Sequence, residues 1–147
     1  MKSPILLTIG YEGKSIDEFI DRLHQFNITR LIDVREIPYS RKKGFSKPSL
    51  QEKLENANIE YVHLKSLGSP LWLRNRLRKH RDYDYFFKAY STYLSSQIST
   101  IDILHKYLLD GTNCIMCFER LSIDCHRSIL ANKLKEYDGN GLIIKHV

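Results

Sequence analysis

The stretch "ILLTIGYEGKSIDEFIDRLHQFNITRLIDV" (residues 5–34) decides the fold. Its first five residues, ILLTI, are a short apolar run closed by Gly10, the pattern of a buried strand. Ser15-Ile16-Asp17-Glu18 then has capping-box spacing, with the Ser15 hydroxyl turned to an amide three residues on and Glu18 reaching back. Ile16, Phe19, Ile20, Leu23 and Phe26 recur every three or four residues, which makes one apolar helical stripe to about residue 26. RLIDV (30–34) is a second run of strand length. Strand, helix and strand at these lengths form a βαβ unit, with parallel strands and a right-handed crossover.

The remainder of the chain repeats the theme. Residues 36–48 read as a loop holding Pro38, Gly44, Pro48 and several cations. Ser49 to Glu52 repeats the capping-box spacing and is expected to open a short helix to about residue 57. IEYVHL (59–64) reads as a third strand, and Pro70 closes the loop after it. A basic helical stretch runs from Leu71 to Arg81. Phe86, Phe87, Tyr90, Leu94, Ile98, Ile101, Leu104 and Leu108 keep helical spacing, as one helix or as two with a restart at Ser99. NCIMCF (113–118) is a fourth strand, residues 125–137 a helix, and LIIKHV (142–147) a last strand. Strands alternating with helices specify an α/β fold: a mostly parallel five-stranded sheet with helices on both faces, in Rossmann-like or flavodoxin-like layering. A chain of 147 residues suits a single domain over 1–147.

Composition excludes several classes. With 42% apolar and 27% charged residues the chain is neither disordered nor a repeat array. No apolar run approaches the roughly 20 residues of a membrane span, and the start lacks a secretory core, so a cytoplasmic protein without membrane association is expected. Cys114, Cys117 and Cys125 form no even disulfide framework and are expected to be thiols. Cys114 and Cys117 stand an odd number of positions apart, so they face opposite sides of a strand, and Cys114 is assigned to the core. There is no glycine-rich phosphate loop of the Rossmann or Walker kind. The net charge is +6, and the cations cluster: Arg35, Arg41, Lys42, Lys43 and Lys47 in one stretch, Arg74, Arg76, Arg78, Lys79 and Arg81 in another. That distribution favours DNA, RNA or another phosphate-bearing ligand as partner. Trp72, Tyr83, Tyr85 and Phe86 could stack on bases, although Phe86 also fits helix packing.

Open parallel sheets bind ligands outside the carboxyl ends of their strands. There the sequence places Gly10, Tyr11 and Glu12 after the first strand, Asp33 and Arg35 after the second, His63 on the third, and Cys117 and Glu119 at the fourth. Cys125, His126 and Arg127 open the helix that follows. This convergence predicts a strand-end pocket. Asp33 and Glu119 are its candidate acid–base groups. Cys125, at a helix start that favours a thiolate, is the candidate nucleophile, and His126 the proton carrier. Arg35, Arg41 and Arg127 are candidates for holding an anion, with Tyr11 beside them. Gly10, His63 and Cys117 are secondary or structural. Other roles stay open: Asp33 orienting a loop, Tyr11 packed as an aromatic, and Glu119 paired with Arg120 or Arg127. Cys117 and Cys125 lie eight residues apart with no Cys-x-x-Cys or His-x-x-x-His, so no metal or other cofactor is expected.

Four segments, "TIGYEGKSIDEF" (8–19), "LIDVREIPYSRKKGF" (31–45), "YVHLKSLG" (61–68) and "CFERLSIDCHRSILANKL" (117–134), resemble the prokaryotic family called domain of unknown function 488. The resemblance runs from the first strand to the last helix. It carries the family pattern onto Gly10, Tyr11, Asp33, Arg35, Pro38, Ser40, Arg41, Gly68, Cys117, Glu119, Cys125, His126 and Arg127. It adds Ser40 to the binding candidates and Gly68 to the structural ones. Lys42-Lys43 departs from relatives, which often carry less charge there. The resemblance implies an α/β fold and action on or near nucleic acid. The expected function is an enzyme, a hydrolase or transferase, acting on a phosphorylated or nucleic-acid substrate; the alternative is a non-catalytic DNA- or RNA-binding module.

Overall fold

The computed structural model describes residues 4–118 and 126–147. The elements follow in order: β1 (Ile5–Gly10), α1 (Ile16–Gln25), β2 (Arg30–Asp33), α2 (Lys47–Asn56), β3 (Glu60–His63), a 3-10 turn (Lys65–Leu67), α3 (Leu71–His80), α4 (Tyr83–Ser95), α5 (Ile98–Tyr107), β4 (Asn113–Cys117), α6 (His126–Asp138) and β5 (Ile143–His146).

Among the described residues every strand pairing is parallel, and the strand order is β3-β2-β4-β1-β5. The layering is the expected one. The order differs from the Rossmann and flavodoxin arrangements, because β4 is inserted between β1 and β2. Two apolar cores lie on the two faces of the sheet, as strand alternation requires. On one, Phe19 and Leu23 of α1 and Leu50 and Leu54 of α2 pack against Leu7, Leu31, Cys114 and Met116. On the other, Leu94, Ile101, Leu104, Leu130 and Leu134 from α4, α5 and α6 pack against Leu6, Ile32 and Ile115. Cys114 is a fully buried side chain of the first of these cores, and Cys117 at the end of β4 is fully buried as well.

The two faces carry crossovers running in opposite senses. From β1 and β2 the chain steps towards the β3 edge by way of α1 and α2. From β3 and β4 it steps towards the β5 edge by way of α3 to α6. The connections therefore diverge beside the neighbouring strands β2 and β4, and a crevice opens at their carboxyl ends.

The expected capping box opens α1: Ser15 Oγ accepts from the Glu18 amide at 3.1 Å, and Glu18 Oε1 accepts from the Ser15 amide at 3.0 Å. The second expected box is corrected. α2 starts at Lys47, with Ser46 at the N-cap and Pro48 in the first turn, rather than at Ser49. Proline has its φ set for a first helical turn and needs no partner for a missing N–H there. The long apolar repeat is two helices, and α5 begins at Ile98 after a break at 96–97. None of the described helices is long and apolar enough to cross a membrane.

Candidate functional site

The crevice at the β2 and β4 ends is a cleft of about 640 Å³. Its walls come from three directions. Arg35, Glu36, Ile37 and Tyr39 follow β2; Cys117, Phe118 and His126 lie around the end of β4. Arg74, Leu77, Arg78 and Arg81 come from α3 and its C-cap, with Tyr83 and Phe86 from α4.

Beneath the floor lies a closed polar knot. Asp33 is fully buried, and Arg35 is nearly so. Asp33 Oδ1 accepts from the Arg35 amide at 3.1 Å and from its Nε at 2.9 Å. Oδ2 accepts from Arg35 Nη2 at 2.8 Å and from the Tyr61 hydroxyl at 2.6 Å. Arg35 Nη1 donates to the Phe45 carbonyl at 2.7 Å and to the Tyr11 hydroxyl at 3.4 Å. A buried ion pair is tolerated when its remaining donors and acceptors are occupied, and here they are. Burial works against the Arg35 charge, but the Asp33 hydrogen bonds and negative charge outweigh it and hold the guanidinium protonated. Burial, reinforced by Asp33, pushes the Tyr61 phenol well above its ordinary value. Tyr11 is stacked on Phe45 at 4.5 Å and meets Phe118 edge-on at 5.3 Å.

Two further candidates brace this knot. His63 Nε2 lies 2.7 Å from the Arg35 carbonyl. A carbonyl only accepts, so Nε2 carries the proton. Gly68 passes under the same backbone, and a Cβ there would stand 2.2 Å from the Glu36 amide nitrogen. Its backbone is in the ordinary extended region, so close approach is what requires glycine.

At the opposite wall His126 lies 3.3 Å from the Val34 carbonyl through Nε2, which therefore donates, and 5.2 Å edge-on from Tyr90. Burial pushes its pKa down to about 4, with Arg74 adding to the depression, so the imidazole is neutral at neutral pH. Arg127 is buried behind it, donating from Nε to Thr8 Oγ1 at 3.2 Å and approaching Cys117 Sγ at 3.2 Å. Thr8 Oγ1 in turn is bonded to His146 Nδ1. Cys117 is disulfide-bonded, which corrects the expectation of three thiols. Cys114 is a free cysteine, and burial pushes its thiol up.

The third wall is the most cationic. Arg74 bonds Glu36 at 3.1 Å and also the Ser69 carbonyl. Arg78 and Arg81 line the cleft with no carboxylate in ion-pair reach among the described residues. Arg81 caps α3 in the left-handed region at φ 53°. Tyr39, Tyr83 and Phe118 show 67%, 52% and 45% of their surface to solvent around the mouth.

Of the sequence candidates, the fold gathers Arg35, Cys117 and His126 at the cleft, with Asp33, Tyr11, Gly10 and Arg127 buried around them. Ser40 and Arg41 do not line it. Ser40 is tied to Ser46 Oγ through its own amide and carbonyl, both at 3.1 Å, and Arg41 is exposed. Glu119 and Cys125 lie outside the described residues. Among the described residues no group of three His, Cys, Asp or Glu side chains could hold a metal. Sequence reasoning did not assign Ile37, Tyr39, Phe118 or the α3 arginines to the pocket. The signal was present for the last: Arg74, Arg78 and Arg81 recur every three or four residues beside Leu77.

No curated protein and no solved structure matches this chain. Residues 15–134 do match a family model described as Domain of unknown function DUF488, and the chain belongs to that family.

Proposed function

We propose that the strand-end cleft binds a nucleotide unit, a phosphate joined to a planar base. One observation carries this reading: two arginines with no carboxylate partner among the described residues, Arg78 and Arg81, face the same cleft as three solvent-exposed rings, Tyr39, Tyr83 and Phe118. Guanidinium groups hold phosphate oxygens through charge-assisted hydrogen bonds. Exposed rings lose little by covering a base and gain its stacking. Arg35 and Arg74 are already paired with Asp33 and Glu36, so among the described residues the uncompensated positive charge of the cleft is that of Arg78 and Arg81.

Calorimetric titration of AMP into the wild type and the Arg78→Ala/Arg81→Ala variant tests this. Each lost charged hydrogen bond costs about 1.5 kcal/mol or more, so the double variant should bind at least about a hundredfold more weakly. Equal affinity in the two proteins would refute the reading.

A second reading, in which the protein also transforms the bound phosphate compound, is supported by the neutral His126 imidazole at the cleft wall. Here Asp33 serves to hold Arg35 rather than to move protons, since both its oxygens are engaged. Turnover on a panel of nucleotides and short oligonucleotides that is the same for His126→Gln and wild type would rule His126 out as proton carrier.

A further inference from the structure

We propose that the ligand is single-stranded nucleic acid: one nucleotide enters the cleft while the strand continues across the outer side of α3. This rests on the reading of the cleft as a nucleotide site and names the class of molecule that supplies the nucleotide.

The observation is that α3 is cationic on two sides. At 3.6 residues per turn, Arg74, Leu77 and Arg78 share the cleft side, and Arg81 continues it at the cap. Trp72, Arg76 and Lys79 fall on the far side. A mononucleotide in the cleft would leave the far side unused. Yet the same ingredients recur there. Trp72 is 57% exposed, and Arg76 lies 3.8 Å over the Tyr85 ring. Among the described residues neither Arg76 nor Lys79 has an ion pair, and Arg76 Nε is buried without a hydrogen-bond partner. The two sides stand one helix diameter apart, about 10 Å, which takes more than one nucleotide to cross. Beyond Tyr39, which lines the cleft, the exposed Arg41 and Lys43 follow in sequence.

Repeated pairs of cation and open ring suit a strand with unpaired bases, because each base offers a free face for stacking and each phosphate a charge. A duplex presents mainly phosphates, its bases being already stacked, and would leave the rings idle. An acidic polypeptide would occupy the arginines and likewise leave the rings idle.

The test uses the full chain and dye-labelled oligonucleotides of about ten residues, as DNA and as RNA, read by fluorescence anisotropy. The comparisons are the same sequence as duplex, AMP, and polyglutamate. Trp72 is the sole tryptophan, so its emission reports the outer side of α3 directly. The expected result is single-strand binding at least tenfold tighter than duplex or polyglutamate, by DNA, RNA or both, with quenching of Trp72. The affinity should fall with salt at a log–log slope of about −0.7 per phosphate contact. Arg76→Gln/Lys79→Gln, which alters only the outer side, should weaken the strand about tenfold, and Arg78→Ala/Arg81→Ala should weaken both strand and AMP. A strand bound no more tightly than AMP, with Arg76→Gln/Lys79→Gln without effect, overturns the proposal and leaves the nucleotide cleft standing. Failure of both AMP and strand to bind overturns both. Tighter binding of duplex or polyglutamate overturns the single-strand assignment.

Discussion

At Asp33 a single carboxylate takes four hydrogen bonds, three of them from one arginine two residues on. Asp33→Asn would leave the Arg35 guanidinium buried and without its counter-charge. Breaking such a pair costs about 3–5 kcal/mol, so urea unfolding should show a loss of that order; a loss under about 1 kcal/mol would contradict the buried-pair account. The sequence made Asp33 and Arg35 visible as strand-end residues. It did not show that Arg35 folds back, because that depends on Phe45 and Tyr61 arriving from two other segments. His126 carries the other residue-scale expectation. Its folded pKa of about 4 lies below the ordinary value of about 6.5. Between those values the unfolded chain binds more protons, so the contribution favours folding at neutral pH and is lost as pH falls through that window. Stability measured from pH 7 down to about pH 4 should therefore decline less steeply in His126→Gln than in the wild type.

Helix starts show where local rules hold and where they compete. Ser15 and Glu18 form the box their spacing announces, and no other hydrogen bond among the described residues claims either side chain. Ser49 and Glu52 have the same spacing, yet α2 begins at Lys47, since Pro48 fits its first turn and Ser46 is already tied to Ser40. A turn can be as demanding as a helix. The 3-10 turn after β3 ends at Gly68, whose missing Cβ leaves room for the Arg35–Glu36 backbone. Gly68→Ala should displace that backbone and with it the cleft wall, at a cost of about 3 kcal/mol or more. Thermal unfolding of the variant, together with its AMP affinity, checks this; an unchanged melting temperature would mean that the turn yields freely. The resemblance marked Gly68 but not its reason, which is a contact across 32 residues of chain.

Across the molecule, element types were legible because strand and helix periods differ so plainly between ILLTI and the Phe19–Leu23 stripe. The α/β class followed. The strand order did not, since apolar runs of equal length say nothing about which lies beside which. The placement of the cleft depended on that order, and so did its third wall, which α3 and α4, two of the helices between β3 and β4, carry over the sheet ends.

The insertion of β4 has one more consequence, for how the chain is made. β1 pairs with β4 and β5, and not with β2. As the polypeptide leaves the ribosome, β1 therefore lacks both of the strands it pairs with among the described residues until residue 113 has been synthesised. Pairings this distant in sequence close late and slowly. A fragment ending at 112 should show little amide protection in β1 by hydrogen exchange, and adding 113–147 in the same chain should restore it. The nascent N-terminal segment must meanwhile keep ILLTI from pairing elsewhere, a task that falls to whatever shields short apolar strands during synthesis.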